Sequence, residues 1–535
     1  MTSLVHELIS QSVQRSPEAI ALQVKNTSLS YAQLYKKVTE VAQGFASLDI
    51  TQGDRIGIYL AKNQENVQSM FACSLLGAVF VPINPVLKAQ QVYYIANDCQ
   101  IKLLVTNRSR LTALASQIDS LTELTTIIVI DANEHELEKM TLAKSINLIS
   151  WQSILPPITT QITLQCSLSS DDLAAILYTS GSTGQPKGIM LSHTNIVLGA
   201  KSVSHYLEMT ANDNILALLP LSFDYGLNQL TSCFLVGGKC VLLDYLLASD
   251  VVKAIANYNI TGLAAVPALW IQLLKVSWPI NTGQTVRYFT NSGGALPLKT
   301  LSTLQDKMPK AKPYLMYGLT EAFRSTFLSP AEINNKPDSI GKAIPYAEVL
   351  VLRENGSTCD DDEVGELVHV GPLVTLGYWQ NETATAERFK ETPKQAININ
   401  NNYLAVFSGD YVRRDSNGFL YFVSRKDTMI KTSGYRVSPT ELESILLQLP
   451  EVTEAAIIAS PSKDLGQAII AIIVTTNENH QSATKSIMKH CLLNLPNYMV
   501  PKEVVFLSQL PRNANGKVDI ALLTATHNKN NISVN

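Results

Sequence analysis

Short apolar runs alternate with amphipathic helical stretches over about the first 400 residues of the chain. The apolar runs at 55–60, 79–84, 102–106, 126–131, 214–220 and 239–244 are rich in Val, Ile and Leu, whereas the stretch at 31–48 repeats apolar residues at helical spacing. This alternation is typical of parallel sheets whose faces are covered by helices. It predicts a large N-terminal α/β domain of parallel-rich sheets.

A second pattern begins after the Asn-rich stretch at 395–404. Two strands at 407–427 surround a turn at 416–418. From Thr428 onward the sequence predicts helices at 439–449 and 486–495, strands at 454–460 and 468–476, and an apolar tail segment at 504–511. We therefore expect a small C-terminal α+β domain at 427–535 after a large domain at 1–426, with a frayed polar end at 525–535.

Composition narrows the class of protein. With 535 residues and 46% hydrophobic content the chain can bury more than one core. Charged residues make up only 16% and the net charge is −3, so the chain lacks the positive field that binds nucleic acid or an anionic membrane. Residues 1–22 predict an amphipathic helix without a secretory signal, and no run is long enough to cross a bilayer. We expect a cytoplasmic protein.

The metal-binding residue types are dispersed. The seven cysteines form no CxxC pair, and the eight histidines form no HExxH motif. This distribution favours buried, reduced cysteines over a disulfide framework, and it disfavours a zinc site.

One loop carries the strongest chemical signal. The segment 178–188 reads YTSGSTGQPKG and lies between the apolar strands at 173–177 and 188–192. Its glycines let backbone N–H groups turn toward an anion, its hydroxyls add donors, and Lys187 supplies positive charge, so it predicts a phosphate-binding loop. Lys187 precedes Gly188 and no GK[ST] follows, which disfavours a P-loop ATPase. A flexible Gly/Ser hairpin is the alternative.

This loop resembles the signature YTSGSTGxPKG of the adenylate-forming superfamily, which comprises acyl-CoA synthetases, peptide-synthetase adenylation domains and luciferases. The resemblance extends over nearly the whole chain, and it implies a large domain followed by a small mobile lid domain. It implies an ATP-binding role for these loop residues: Thr179, Ser180, Gly181, Ser182, Thr183, Gly184 and Lys187.

Three further motifs resemble the family in the same order along the chain. In the YGLTE element at 317–321, the resemblance implies that Tyr317 stacks on adenine, Thr320 meets phosphate and Glu321 holds magnesium. Gly293 and Gly294 lie in the small-residue turn at 292–295 and would let ATP and the acid approach the backbone. The SGD element at 408–410 resembles TGD, with Ser408 in place of Thr, and implies that Asp410 accepts from ribose hydroxyls.

The remaining motifs lie in the expected lid and its junction. Arg425 would contact ribose, and Asp427 would be the hinge about which the small domain rotates. Gly434, within 431–436, would line the tunnel for the thiol arm. The segment 511–517 resembles PxTxxGK with Asn513 in place of Thr, and it implies that Lys517 is the catalytic lysine of adenylation. The alternatives without a catalytic role are a charged surface turn at 425–427 and a solvated surface lysine at Lys517.

The acyl pocket is expected after the strand at 214–220. Asp224 follows Phe223 there, and in amino-acid-activating relatives the aspartate of such a pair holds the substrate ammonium. The resemblance implies a pocket built from Asp224, Tyr225, Asn228, Ala265, Thr290, Ser292, Met316, Arg324 and Ser325. Arg324 is discordant, because a guanidinium inside the pocket could neutralise Asp224.

The stretch at 222–230 is most similar to free-standing ligases that load L-proline onto a carrier protein, as in nonribosomal peptide and natural-product biosynthesis. It also resembles acyl-CoA ligases of exosortase systems. We therefore expect ATP- and Mg²⁺-dependent activation of an amino acid, with L-proline favoured, and transfer to the phosphopantetheine thiol of a separate carrier protein. The alternatives are an AMP-forming acyl-CoA synthetase for a fatty or aryl acid, a luciferase-type oxidase and a non-catalytic adenylate-binding protein.

Overall fold

The computed structural model describes residues 2–140, 146–155, 167–179, 186–396, 403–426, 430–432, 435–462, 466–495, 497–513 and 516–532. These residues form two compact units. The first contains Met1–Pro337, Gly341–Val349 and His369–Val406, and the second contains Asp338–Ile340, Leu350–Val368 and Phe407–Asn535. The boundary that the sequence predicts after residue 426 falls inside the second unit and stays a prediction.

The helices follow the amphipathic stretches of the sequence. They are α1 (Glu7–Arg15), α2 (Tyr31–Ala46), α3 (Gln64–Leu76), α4 (Ala89–Asp98), α5 (Arg108–Ile118), α6 (Glu134–Leu137), α7 (His193–Tyr206), α8 (Asp224–Val236), α9 (Ala248–Asn257), α10 (Pro267–Leu274), α11 (Leu298–Lys307), α12 (Glu382–Arg388), α13 (Pro439–Leu446), α14 (His480–Asn494) and α15 (Ile520–Ile532). Within the described residues, no helix is both long and apolar enough to span a bilayer.

The strands coincide with the apolar runs. Those of the first half of the chain are β1 (Ile20–Val24), β2 (Thr27–Ser30), β3 (Arg55–Ile58), β4 (Val79–Pro82), β5 (Leu103–Thr106), β6 (Thr126–Val129), β7 (Asn147–Ser150), β8 (Leu173–Thr179), β9 (Lys187–Ser192), β10 (Asn214–Ala217), β11 (Lys239–Leu242) and β12 (Gly262–Ala265). The others are β13 (Tyr288–Asn291), β14 (Lys312–Tyr317), β15 (Thr326–Leu328), β16 (Lys342–Ala343), β17 (Glu348–Leu352), β18 (Val364–Val370), β19 (Phe389–Glu391), β20 (Leu404–Arg414), β21 (Leu420–Arg425), β22 (Ile430–Thr432), β23 (Tyr435–Val437), β24 (Val452–Ser462), β25 (Gly466–Thr475) and β26 (Glu503–Phe506).

Two large sheets organise the first unit. One has the order β16-β15-β14-β13-β12-β10-β11-β1-β2, and the other has the order β7-β6-β5-β3-β4-β8-β9. Pairing is parallel throughout the interior of both sheets and antiparallel only toward their edges. One continuous apolar core contains residues from both sheets and from α2, α3 and α8, including Phe45, Phe71 and Phe234. The predicted α/β architecture with parallel-rich sheets is confirmed.

The second unit ends in a smaller sheet of order β23-β22-β25-β24, with β26 parallel to β25. Side chains alternate along β25 because successive strand residues point to opposite faces. Ile469 and Ile473 pack with α13 and α14, whereas Ile470 and Ile472 pack with Leu523 of α15. Helices therefore cover both faces of this sheet.

Two sequence predictions about the ends of the chain are wrong. The helix expected at 1–22 ends at Arg15, because the residues from Ile20 onward pair with β11 and β2 as strand β1. Of the segment at 525–535, expected to fray, residues 525–532 continue α15, and residues 533–535 lie outside the described residues. Leu523 anchors this polar helix on the sheet, and the His527 imidazole lies 3.0 Å from the Glu503 carboxylate.

We expect Glu443→Gln to stabilise the second unit above pH 7. Glu443 of α13 is partly buried, and desolvation raises its pKa from 4.5 to about 7, against the effect of the Ile457 N–H that donates to it at 2.9 Å. A raised carboxyl pKa contributes stability that is complete below pH 4.5 and is lost as pH rises through 7. At pH 8 the variant should gain on the order of 2 kcal/mol, since glutamine keeps the acceptor without the charge.

Denaturant unfolding at pH 5 and pH 8 measures this. The gain of Glu443→Gln over wild type should be confined to the higher pH, and the exposed Glu478→Gln serves as control. An equal effect of Glu443→Gln at both pH values would contradict the assignment.

Candidate active site

Parallel pairing gathers the candidate residues of the first unit at one sheet edge. Strands β10, β12, β13 and β14 are consecutive neighbours in the larger sheet, and all run in the same direction. Ligands of such sheets bind in the crevice beyond the carboxyl ends of the strands. The segments that leave these ends carry Asp224 at the start of α8, Ala265, the turn at 292–294 and the YGLTE element.

Tyr317 is the last residue of β14, and its ring stacks on the imidazole of His369. The ring centroids are 6.3 Å apart and the planes are inclined by 18°. Ser325 Oγ and His369 Nδ1 share a hydrogen bond of 2.8 Å, which fixes the imidazole. Burial lowers the pKa of His369 to about 3, so this support is uncharged at neutral pH. His369 was not predicted from the sequence, because a histidine inside an apolar strand carries no local signal of function.

A tyrosine links the predicted phosphate and magnesium residues. Lys187, the first residue of β9, lies opposite Thr179 at the end of β8. Its Nζ lies 5.2 Å from the centre of the Tyr378 ring, while the Tyr378 hydroxyl donates to Glu321 Oε1 at 2.6 Å. Tyr378 was not among the residues predicted from the sequence. Ser180, Gly181, Ser182, Thr183 and Gly184 lie outside the described residues.

The carboxylate of Glu321 suits a magnesium ion. The described residues contain no group of three or more His, Cys, Asp or Glu side chains arranged to hold a metal. Magnesium needs no such group, because it is commonly bound through one or two carboxylates together with substrate phosphates and water. A single protein carboxylate such as that of Glu321 fits that mode of binding.

Within the second unit, Asp410 of β20 and Arg425 of β21 are directly paired across the hairpin. Arg425 Nε lies 3.3 Å from Asp410 Oδ1. Ser408 orients this strand, because its hydroxyl donates to Leu367 O at 2.5 Å and accepts from the Asp410 N–H at 3.0 Å. A hydroxyl suffices for both contacts, which explains why serine can replace the threonine of the family motif.

Lys517, also in the second unit, is exposed at the end of a small hairpin. The Asn513 N–H donates to Lys517 O at 2.8 Å, and Asn513 Oδ1 accepts from the Lys517 N–H at 3.0 Å. Gly516 adopts φ 79°, a left-handed conformation that favours glycine. Asn513 therefore holds the hairpin through its side chain. The predicted hinge Asp427 and tunnel residue Gly434 lie outside the described residues.

A small cavity occupies the predicted acyl pocket of the first unit. Its volume is about 20 Å³, and the predicted members that line it are Tyr225, Asn228, Thr290, Met316 and Arg324. The Tyr225 and Thr290 hydroxyls share a hydrogen bond of 2.5 Å. The lining from β12 comes from residues 262–264 rather than from Ala265, and Asp224, Ser292 and Ser325 are buried without belonging to it.

The carboxylate of Asp224 lies near a positively charged side chain of the protein itself, that of Arg324. Arg324 Nη1 lies 3.9 Å from Asp224 Oδ2, and their side chains are only 4% and 5% exposed. The Arg324 guanidinium also lies 4.6 Å above the centre of the Tyr225 ring, a cation–π geometry. The discordant arginine of the sequence analysis thus enters the interior and contacts Asp224.

A strained turn directs Arg324 inward. Phe323, just before it, has φ 51°, which is rare for a bulky residue. Its buried ring packs against Gly199 of α7, where a Cβ atom would lie 2.3 Å from the ring. Gly199 therefore makes room for the ring that holds this turn, a relation that the sequence does not reveal.

The comparison with known families agrees with this geometry. The AMP-binding enzyme family matches residues 9–379, and the AMP-binding enzyme C-terminal domain matches residues 441–517. The chain belongs to the AMP-binding enzyme family. It is an adenylate-forming, AMP-forming ligase, so the family and the type of enzyme that the sequence predicts are confirmed.

Two ligases illustrate the range of its relatives. The chain is 29% identical to an L-proline–[L-prolyl-carrier protein] ligase of Pseudomonas fluorescens, over 96% of this chain and 98% of that protein. It is 27% identical to a 2-succinylbenzoate–CoA ligase of Bacillus subtilis, over 95% of both proteins. These similarities agree on ligase chemistry and differ in both acid and thiol.

A solved structure supports the fold of the AMP-binding enzyme. The o-succinylbenzoate CoA synthetase of Bacillus subtilis, solved with its acyl-adenylate intermediate, aligns with a TM-score of 0.79 at 27% identity, covering 96% of this chain and 97% of that one. The same synthetase with ATP and a magnesium ion aligns with a TM-score of 0.78 at 26% identity, covering 96% and 98%.

We expect Tyr378→Phe to raise the magnesium concentration needed for half-maximal ATP–pyrophosphate exchange by roughly tenfold, the usual effect of losing a partner of a metal-binding carboxylate. The variant keeps the ring beside Lys187 but loses the hydrogen bond to Glu321. A magnesium titration of exchange measures the shift, and the exposed Tyr346→Phe serves as control. An unchanged magnesium dependence would exclude this role for Tyr378.

Proposed function

We propose that this AMP-forming ligase activates a carboxylic acid that carries no ammonium group and passes it to a phosphopantetheine thiol. The observation that carries the choice of acid is the contact between Asp224 and Arg324. The two buried charges compensate each other, so the pocket offers no net negative charge to a substrate amine. A substrate ammonium beside Asp224 would also lie close to the guanidinium, which is an unfavourable like-charge contact.

L-Proline is the second candidate, and two observations favour it. Asp224 is buried in the first turn of α8 next to the pocket, and the chain resembles an L-prolyl-carrier protein ligase over almost its whole length. The separation of 3.9 Å between Asp224 and Arg324 is longer than the 2.7–2.9 Å typical of charge-assisted hydrogen bonds. A proline amine that bound Asp224 would therefore replace only a loose contact of that carboxylate with Arg324.

The proposed roles of the remaining residues follow the family resemblance. Tyr317, supported by His369, stacks on adenine, and Lys187 with the loop at 179–184 and Thr320 binds the phosphates. The turn with Gly293 and Gly294 admits the nucleotide. Glu321 holds magnesium, which when bound neutralises phosphate charge. In the second unit Asp410 and Arg425 bind ribose.

The proposed reaction has two steps. The carboxylate oxygen of the acid attacks the α-phosphorus of ATP and pyrophosphate leaves, with Lys517 stabilising the charge that develops. The thiol sulfur then attacks the acyl carbon, AMP leaves, and the thiol proton passes to solvent. We propose that Asp427 is the hinge between the steps and that Gly434 borders the path of the thiol.

The acceptor thiol is expected on a separate carrier protein, as in the L-prolyl relative. Coenzyme A is the alternative and would match the 2-succinylbenzoate relative. Thioester formation with each acceptor, starting from the same acyl adenylate, separates the two.

ATP–pyrophosphate exchange across the proteinogenic amino acids and a set of fatty, oxo and aryl acids tests the choice of acid. We expect exchange with amine-free acids, and Asp224→Asn should retain it. The exposed Glu138→Gln is the control. Exchange with L-proline that Asp224→Asn abolishes would overturn the first candidate and establish the second.

Lys517→Ala should lower the rate of adenylation by at least roughly a hundredfold, as expected for a group that stabilises charge in the transition state. Thioester formation from supplied acyl adenylate should remain close to that of wild type. Single-turnover assays of the two half-reactions measure this, with the exposed Lys502→Ala of the same unit as control. Equal losses in both half-reactions would contradict the proposed role.

A further inference from the structure

The cavity beside Arg324 contains an excess of hydrogen-bond donors. Arg324, Asn228 and Gln229 all line it, and each is at least nine-tenths buried. Among the described residues, Arg324 Nε, Arg324 Nη2 and Asn228 Nδ2 have no hydrogen-bond partner. Among the acceptor atoms of these three side chains, only Gln229 Oε1 also lacks a hydrogen-bond partner within the described residues. Burying polar groups without hydrogen-bond partners costs free energy. These donors therefore favour binding of a ligand that supplies hydrogen-bond acceptors.

The protein fixes the orientation of these groups. Asn228 Oδ1 accepts from the Ser232 hydroxyl at 3.1 Å, which leaves the amide NH₂ of Asn228 as its open end. Gln229 Nε2 donates to Leu216 O at 3.1 Å, which leaves its oxygen open. Arg324 is held against the ring of Tyr225 and beside Asp224. The donors are therefore preorganised before any ligand arrives.

One oxygen atom in this cavity can accept from two of these donors. A cavity of about 20 Å³ has room for about one water molecule. The oxygen of a water molecule and the oxygen of a carbonyl group each accept two hydrogen bonds, so one such oxygen can accept from two of the open N–H groups of Arg324 and Asn228. An oxygen of the substrate that reaches this point would have several donors available.

Charge decides what kind of oxygen fits. The positive charge of Arg324 is already balanced by Asp224, so a second carboxylate would bring an uncompensated negative charge next to the Asp224 carboxylate. An uncharged carbonyl oxygen adds acceptors without charge. Resting on the proposed activation of an amine-free acid, we propose that Arg324 and Asn228 bind a carbonyl oxygen on the distal part of the substrate, which makes the substrate an oxo acid.

Matched acids of one length test this. ATP–pyrophosphate exchange with pentanoate, levulinate and glutarate, and with heptanoate, its 6-oxo derivative and pimelate, compares an alkyl, a carbonyl and a carboxylate end. In each series the oxo acid should have the highest kcat/KM, exceeding the alkyl acid by roughly tenfold to a hundredfold, because a site built for hydrogen bonds discriminates against analogues that lack the acceptor. An alkyl acid or a dicarboxylate used equally well or better would overturn the proposal.

Variants separate binding from folding. Arg324→Met should reduce the preference for the oxo acid to near unity, and Asn228→Leu should reduce it in part. The double variant Asp224→Asn/Arg324→Met, which leaves no buried charge, guards against a folding defect and should show the same loss. An undiminished preference for the oxo acid in the folded double variant would exclude Arg324 as the donor.

The two proposals fail in different ways. Exchange with no acid at all, amino acids included, would overturn the proposed activation of an acid. Exchange with alkyl acids at undiminished efficiency would leave the activation intact and overturn only the oxo-acid proposal.

Discussion

The candidate site of the first unit depends on the parallel pairing of four neighbouring strands. Hydrogen bonding places the carboxyl ends of β10, β12, β13 and β14 side by side, and the segments that leave those ends are separated by up to about a hundred residues in sequence. Parallel strands require long crossovers, so the helices that cover the sheet are also the spacers that separate these segments along the chain. The position of the site is therefore a consequence of the backbone topology, and its chemistry is added by the residues at the strand ends.

Supporting contacts refine that arrangement. His369 and Tyr378 belong to no recognisable motif, yet the first lies against the ring of Tyr317 and the second contacts both Glu321 and Lys187. Each fixes a residue whose role the family resemblance implies. The low pKa of His369 follows from its burial, and it keeps the support of the Tyr317 ring uncharged over the physiological range. Residues of this kind determine how rigidly a site is held.

The predicted acyl pocket combines opposite charges with hydrogen-bond donors that have no partner among the described residues. A buried ion pair contributes little net stability, because desolvation offsets the attraction between the charges. We therefore attribute the contact of Arg324 with Asp224 to the proposed recognition of the substrate. Held by the ring of Tyr225 and by the turn at Phe323, the guanidinium lies at a place where a substrate can use it. A pocket in which Arg324 lies beside Asp224 differs from one in which a lone aspartate faces the substrate.

The sequence by itself determined the fold class, the family and the order of the motifs, because period-two and helical patterning and the glycine-rich loop are local properties of the chain. Through resemblance it also predicted that Asp224 and Arg324 belong to one pocket. Their contact, the stacking of His369 on Tyr317, the bridge through Tyr378 and the helix α15 at the end of the chain were decided only in the tertiary structure. Each of these depends on distances between residues far apart in sequence, and burial then determines which charges and donors are satisfied. No local pattern contains that information.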